Sequence, residues 1–287
     1  MRINQNILQN NRFFKKKWWY KFLLLCIISV AFISILVYHY FYGHFFQQKN
    51  GFTTSPSAKQ GPPESVGNGY NDKQWHECIE LIYYINLDSR EDRKNAFLEE
   101  MRRMGVPSEK ITRISAVNKP GQGDWGCSLS HLISVEQFID SGLANCIIFE
   151  DDFVFREDLQ KINAGFREVF DGPDPFDIIM LSANEVDTVA TPKYKLLKKV
   201  NEAQTASGYM VNKHFAPILL QNYREGTKLI EKSYEGGKSD TLQGSFCVDQ
   251  YWKRLQPQSN WFVFSPKLGV QRESHSDIQG GVVNYGV

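Results

Sequence analysis

Residues 147–152, Ile-Ile-Phe-Glu-Asp-Asp, combine a short apolar strand with three consecutive acids. Wholly apolar strands of this kind lie in the middle of a sheet that helices cover on both faces. Glu150, Asp151 and Asp152 should therefore emerge together at the carboxyl end of a central strand, which is the edge where ligands bind in open α/β sheets. Because clusters of oxygen ligands suit hard cations such as Mn²⁺ and Mg²⁺, we expect a cation site there rather than a solvated acidic turn.

Strand-like and helix-like segments alternate around this motif. Strands are predicted at residues 81–87, 111–117, 146–150 and 177–181, and helices from Ser89, from Ser128 and over residues 158–170. Such β-α-β alternation predicts an α/β domain with a mostly parallel central sheet and helices on both faces. Farther along, residues 203–211 and 261–264 are strand-like, and residues 242–255 are helix-like.

The head of the chain predicts a membrane anchor. Residues 22–38 carry no charge, and as a helix they would span about 25 Å, near the lower limit for a bilayer core. Aromatic residues flank both ends, basic residues precede the run, and no acid occurs before Glu64. The positive-inside rule then predicts a cytosolic tail at 1–21, a transmembrane signal-anchor at 22–42 and a lumenal remainder. A cleaved signal peptide is the alternative, but bulky aromatic residues follow the run where small ones are needed for cleavage.

Composition separates the rest of the chain into a stem and a domain. Residues 43–74 contain Ser, Thr, Pro and Gly with little to bury, which predicts a flexible stem. Residues 75–287 are long enough for one substantial domain.

After residue 63 there are 25 basic and 32 acidic residues, a net charge of −7. That charge disfavours nucleic acid as a partner, because phosphate backbones require a basic face. The scattered cysteines of the domain contain no Cys-x-x-Cys pair, so their spacing predicts no zinc site.

Five segments of the domain carry a family resemblance. They are Tyr-Ile-Asn-Leu-Asp-Ser-Arg-Glu-Asp-Arg at 84–93, Gly-Cys-Ser-Leu-Ser-His at 126–131, Phe-Glu-Asp-Asp at 149–152, Ala-Ser-Gly-Tyr at 206–209 and Gln-Arg-Glu-Ser-His-Ser-Asp-Ile at 271–278. In this order they resemble glycosyltransferase family 25, which contains bacterial lipooligosaccharide galactosyltransferases and animal procollagen galactosyltransferases. The resemblance implies a GT-A fold, a nucleotide-sugar donor, a divalent cation that is usually manganese, and inversion at the anomeric carbon.

The function that follows is transfer of a hexose, galactose or another, from a donor such as a UDP-sugar to a hydroxyl of a glycan or protein acceptor. With the anchor, the resemblance implies a single-pass type II membrane protein on the lumenal face of the Golgi or endoplasmic reticulum. A membrane-tethered binding protein that kept the fold and lost turnover is the alternative. The intact acidic triplet favours the enzyme, and a metal-dependent phosphohydrolase would leave the other motifs unexplained.

Donor-binding residues are expected at two places. Asn86, Arg90 and Arg93 follow the first strand, where the two arginines can pair with phosphate, although a solvated turn is the alternative. Ser130 and His131 are expected early in a helix behind a glycine-rich loop, where a helix N-terminus attracts anions. A packed structural role remains open for His131.

The acidic triplet and the end of the chain supply the expected metal ligands. Glu150 and Asp152 have the spacing of an Asp-x-Asp site, and on an extended strand residues two apart point to the same side. We therefore assign Asp152 and Glu150 to the metal, with ribose binding as the alternative for Glu150, and expect Asp151 to face the other way and to meet the donor. The resemblance adds Asp277 as a further metal ligand, with a polar tail that packs over the sheet as the alternative for residues 274–277.

Inverting transfer also needs a general base for the acceptor hydroxyl. Asp249 lies among aromatic residues that would shelter it and raise its pKa, so we assign it as the catalytic base. Asp240 is the second candidate, and a helix-surface or capping role is the alternative for both.

Overall fold

A central sheet of eight strands organises the computed structural model, which describes residues 73–237, 244–276 and 281–283. All of these belong to the unit Val66–Val287. The predicted tail, the transmembrane segment, almost the whole stem, Asp240 and Asp277 lie outside the described residues. Within the described residues, no helix has the length and apolar character needed to cross a bilayer.

The strands follow one another along the chain as β1 (Leu81–Asn86), β2 (Ile111–Ser115), β3 (Asn145–Glu150), β4 (Phe153–Phe155), β5 (Ile178–Met180), β6 (Asn184–Ala190), β7 (Leu197–Gln204), β8 (Gly208–Asn212), β9 (Trp261–Phe264), β10 (Gly269–Gln271), β11 (Ser274–Ser276) and β12 (Gly281–Val283). Their order in the central sheet is β2-β1-β3-β8-β5-β9-β7-β6. β4 pairs antiparallel with β10, and β11 pairs antiparallel with β12.

Six strands of the central sheet run in one direction, while β7 and β8 run the opposite way. The predicted mostly parallel sheet is therefore confirmed, with two reversed strands inserted. The single strand predicted at residues 203–211 is wrong, because the chain leaves β7 and enters β8, which lies elsewhere in the sheet. Thr205 stands at this break with a φ of 87°, a conformation that an extended strand does not allow.

The helices whose bounds the described residues give are α1 (Glu91–Arg103), α2 (Gly123–Ser141), α3 (Leu159–Asp171), α4 (Ala216–Glu235) and α5 (Val248–Tyr251). The first begins at Glu91, later than the start predicted at Ser89, and Arg90 occupies the N-cap without a side-chain cap hydrogen bond. The second begins at Gly123, five residues before Ser128. Asp158 caps α3 by accepting a hydrogen bond from the Lys161 amide at 2.9 Å. The helix expected at 242–255 is described from residue 244 onward, where α5 is followed by a 3₁₀ segment, Trp252–Gln258.

Two apolar clusters, one on each face of the sheet, confirm the predicted helical layers. α1 and α3 cover one face, where Phe97 and Phe166 join Phe149 of β3 in one buried cluster. α2 and α4 cover the other, where Val135 and Leu219 belong to the cluster of Tyr209 and Ile148. Because β3 is buried on both faces, every position before Glu150 is occupied by a buried residue. Burying one large apolar side chain contributes about 1.5–3 kcal/mol.

Candidate functional site

A cavity of about 190 Å³ opens at the carboxyl ends of β1, β2 and β3. Its lining includes Asn86 and Arg93 from the first β-α connection, residues 116–121 after β2, Cys127, Ser130 and His131 of α2, Glu150, Asp151 and Asp152, and Gln271 of β10. The parallel strands bring these distant residues to one edge of the sheet, as expected for an α/β site. Arg90 lies outside this lining and forms an ion pair with Asp92, with 2.9 Å between Nη2 and Oδ2.

The three acids do not alternate as an extended strand would require. β3 ends at Glu150, and Asp151 and Asp152 form a turn before β4. Arg93 Nη1 consequently reaches both, at 3.0 Å from Asp151 Oδ1 and 3.5 Å from Asp152 Oδ2. The expectation that Asp151 faces away from its neighbours is therefore wrong, because the regular strand geometry stops one residue earlier.

Asn86 holds this acidic turn against β2. Its Nδ2 donates to Asp151 Oδ2 at 2.7 Å and to the Arg90 carbonyl at 3.0 Å. Its Oδ1 accepts a hydrogen bond from Arg113 Nε at 3.0 Å. The amide of Asn86 thus links three chain segments. Arg113, which the sequence did not single out, lies in β2 and reaches the site only through strand pairing.

Ser130 and His131 lie two turns inside α2, so the expectation that they sit at a helix N-terminus is wrong. The Ser130 hydroxyl donates to the Gly126 carbonyl at 2.7 Å and accepts from the Val117 amide at 2.8 Å. Ser130 therefore ties α2 to the loop that forms one wall of the cavity. The start of α2 was predicted too late because glycines such as Gly123 and Gly126 are typical of loops, whereas both lie in the helix.

A chain of buried hydrogen bonds leads from α4 to the acidic strand end. The Tyr223 hydroxyl donates to Tyr209 Oη at 3.1 Å, and Tyr209 Oη lies 2.9 Å from His131 Nδ1. His131 Nε2 in turn lies 3.1 Å from Glu150 Oε1. Burial raises the pKa of both phenols well above the ordinary value, which keeps them neutral. Sequence reasoning missed both tyrosines, although Tyr209 closes the Ala-Ser-Gly-Tyr segment.

Within the described residues, Cys127, His131 and Glu150 form a group that could hold a metal ion. One potential ligand atom from each lies within 4.8 Å of the other two. Cys127 Sγ is 3.8 Å from Glu150 Oε1, and Gln271 Nε2 donates to Glu150 Oε2 at 3.0 Å. This grouping differs from the expected set of Glu150, Asp152 and Asp277.

Asp152 is a buried carboxylate whose environment suits a cation. Burial, reinforced by the negative charge of Glu150 and opposed by Arg93, raises the pKa of Asp152 to about 7. Its Oδ1 is buried and has no hydrogen-bond partner among the described residues. Such an unsatisfied oxygen costs free energy that a bound cation would offset, so the residues fit the divalent ion expected from the sequence. Burial also raises the pKa of Asp151, against the hydrogen bond from Asn86.

Asp249 lies in α5, outside the cavity lining but close enough to Glu150 to interact electrostatically. Burial raises the pKa of Asp249, and the hydrogen bond from the Thr205 amide opposes that change. Asp249 is therefore sheltered, as expected, and Trp252, three residues farther along the chain, is fully buried.

Residues 108–232 match the model of glycosyltransferase family 25, described as an LPS biosynthesis protein. A comparison with curated proteins gave no match. A mannose-1-phosphate geranyltransferase from Thermus thermophilus is 8% identical, with a TM-score of 0.40 over 65% of this chain and 73% of that one. A glycosyltransferase involved in glycosylation of the major capsid of PBCV-1 is 10% identical, with a TM-score of 0.38 over 64% and 79%.

Proposed function

We propose that this chain, whose residues 108–232 match the model of glycosyltransferase family 25, is a glycosyltransferase that transfers a hexose, with galactose as the first candidate, from a UDP-sugar to a hydroxyl of a glycan or protein acceptor. The transfer is a single displacement that inverts the anomeric carbon. Chief support comes from the position of Glu150, Asp151 and Asp152, which lie inside the matched region and line one cavity. In this cavity the carboxylates, Arg93 and the loop after β2 would contact the diphosphate and the sugar of the donor.

Asp152 and Glu150 are the proposed ligands of a Mn²⁺ or Mg²⁺ ion, with Asp277 as a third that lies outside the described residues. When bound, the ion neutralises the charge that builds up on the departing nucleotide diphosphate. Arg93 holds the turn of Asp151 and Asp152 in place through its two contacts. Asn86 fixes the same turn from β1, so the carboxylates are positioned before the donor arrives.

Asp249 is the proposed general base, which accepts the proton of the acceptor hydroxyl as its oxygen attacks the anomeric carbon. A carboxylate with a raised pKa is a stronger base than an exposed one, and burial raises the pKa of Asp249. The amide of Thr205 orients the carboxylate through one of its oxygens, Oδ2, at 3.1 Å.

The test is a panel of UDP-hexoses, scored by thermal shift and by donor hydrolysis, with and without Mn²⁺. A bound donor stabilises the folded protein by mass action. Asp152→Asn should abolish hydrolysis and transfer while the protein stays folded, and Asp187→Asn, a change at an exposed acid of β6, serves as the matched control. A donor that binds without turnover under all conditions would favour the inactive binding protein. Wild-type turnover of Asp152→Asn at limiting Mn²⁺ would contradict its metal role.

The proposed setting is the lumenal face of the Golgi or endoplasmic reticulum, with residues 22–42 as a single type II anchor. Support comes from the sequence alone: the uncharged run, the basic residues before it and the proline-containing stem after it.

A further inference from the structure

Cys127 and His131 are four residues apart on α2, so their side chains lie on the same face of the helix. That face is turned toward the end of β3, where Glu150 Oε1 lies 3.1 Å from His131 Nε2 and 3.8 Å from Cys127 Sγ. Tetrahedral zinc binds sulfur at about 2.3 Å, and nitrogen and oxygen at about 2.0–2.2 Å, which places neighbouring ligand atoms about 3.3–3.6 Å apart. The two observed distances bracket that range. The ligand atoms of Cys127 and His131 lie within 4.8 Å of each other, so rotation of these side chains would bring the three atoms around one ion.

The other ring nitrogen of His131 already has the partner that a metal-binding histidine needs. Ligating histidines usually hydrogen-bond through their second nitrogen to an oxygen that fixes the orientation of the ring. His131 Nδ1 lies 2.9 Å from Tyr209 Oη, and Tyr209 is held by Tyr223. His131 and Tyr209 are fully buried, and Tyr223 is almost fully buried, so the imidazole cannot turn away from Glu150 without breaking this arrangement.

The chemistry of this group differs from that of the neighbouring acids. Asp151 and Asp152 offer only oxygen, which suits Mn²⁺ and Mg²⁺. A thiolate and an imidazole favour a softer ion, and at such sites Zn²⁺ binds more tightly than Mn²⁺. The absence of a Cys-x-x-Cys pair does not weigh against zinc here, because the sulfur and nitrogen ligands come from successive turns of one helix.

We propose that Cys127, His131 and Glu150 bind one thiophilic divalent cation, Zn²⁺ in the first instance, with its fourth position open to the cavity. On binding, the thiol of Cys127 loses its proton to solvent, and His131 coordinates through Nε2 and keeps its proton on Nδ1, facing Tyr209. One consequence rests on the proposed function: Glu150 is shared with the proposed manganese position, so Zn²⁺ should compete with Mn²⁺. Zinc binding itself is independent of any transferase activity.

Cobalt provides the direct test, because Co²⁺ reports its own ligands in the absorption spectrum. Metal-free full-length protein in detergent, titrated with Co²⁺, should develop a thiolate-to-cobalt charge-transfer band and intense tetrahedral d–d bands, and one equivalent of Zn²⁺ should abolish both. Cys127→Ser should lose the charge-transfer band. Cys247→Ser is the matched control, since Cys247 has similar exposure, and it should keep the band. Tyr209→Phe should retain the spectrum with about 10–100-fold weaker affinity, the usual cost of losing an outer partner.

The proposal is overturned if folded wild-type protein gives no charge-transfer band, or if Cys127→Ser keeps it. If Cys127→Ser does not fold, Glu150→Gln decides: the thiolate band should persist while Co²⁺ affinity falls at least tenfold, and unchanged affinity would count against the site. All of these readings are taken without a sugar donor, so a failure of the transferase assignment would leave them intact.

Discussion

The carboxylate of Asp249 accepts a hydrogen bond from the main-chain amide of Thr205, with 3.1 Å between Oδ2 and N. Thr205 has a φ of 87°, and a β-branched residue in such a conformation costs about 1–3 kcal/mol. Strain of this size persists only where neighbouring structure holds it. The short helix α5 thus anchors the break between β7 and β8, beside the strand end that carries Glu150.

Replacing Asp249 separates chemistry from binding. Asp249→Asn keeps an oxygen for the Thr205 amide but cannot take the acceptor's proton, so kcat should fall by about 10²–10⁴-fold. Donor affinity and melting temperature should stay close to those of the wild type. Donor titration, kcat at saturating substrates and thermal melting of the same variant check this. A normal kcat would exclude Asp249 and leave Asp240 to be tested, whereas loss of donor binding would make Asp249 a ligand instead.

The raised pKa of Asp152 predicts a pH-dependent stability. In metal-free protein the folded state holds this proton up to about pH 7, whereas the unfolded chain releases it near pH 4. Between these values the folded state binds more protons, so the contribution of Asp152 to the free energy of unfolding decreases as pH rises. Asp152→Asn removes that contribution, and its melting temperature relative to wild type should increase from pH 5 to pH 8 in EDTA. A difference that does not change with pH would show that the pKa of Asp152 is ordinary.

Gly126 allows α2 to approach the loop after β2. A Cβ at this position would lie 2.4 Å from the Val117 carbonyl oxygen, so Gly126→Ala must move one wall of the cavity. Overpacking of this kind costs about 1–3 kcal/mol, partly offset by the roughly 1 kcal/mol better helix propensity of alanine. Urea unfolding and donor titration should both show a loss. Gly244→Ala is the control, because a Cβ there meets no atom within 4 Å. Equal free energies of unfolding and equal donor affinities for the two variants would contradict the packing argument.

Protease protection tests the proposed topology. In sealed microsomes the region after residue 43 should resist added protease and become sensitive only after detergent opens the membrane. Digestion of that region in intact microsomes would contradict the proposed lumenal orientation. Release of the protein from the membrane by carbonate washing would contradict the proposed transmembrane anchor.

Local patterns in the sequence were sufficient to predict strand β3, the position of the acids at its end and the helical layers on both faces of the sheet. An uninterrupted apolar run and the helical spacing of Phe97, Met101 and Met104 report directly on burial. The break at Thr205 had no such signal, because threonine favours strands and its positive φ is imposed by the surrounding structure. The hydrogen-bond partner of His131 could not be predicted for a related reason. Tyr209 is 78 residues away along the chain, and only the folded sheet brings the two side chains together.

The position of β1 and β9 inside the sheet has a consequence for the family-matched region, residues 108–232. β1 is the strand that joins β2 to β3, and β9 joins β5 to β7, yet both lie outside that region. A polypeptide cut to residues 108–232 would therefore hold three separated pieces of sheet with unpaired edges, which is the usual starting point for aggregation. We therefore expect that the family-matched region does not fold by itself, and that a soluble truncation requires β1 on one side and β9 on the other.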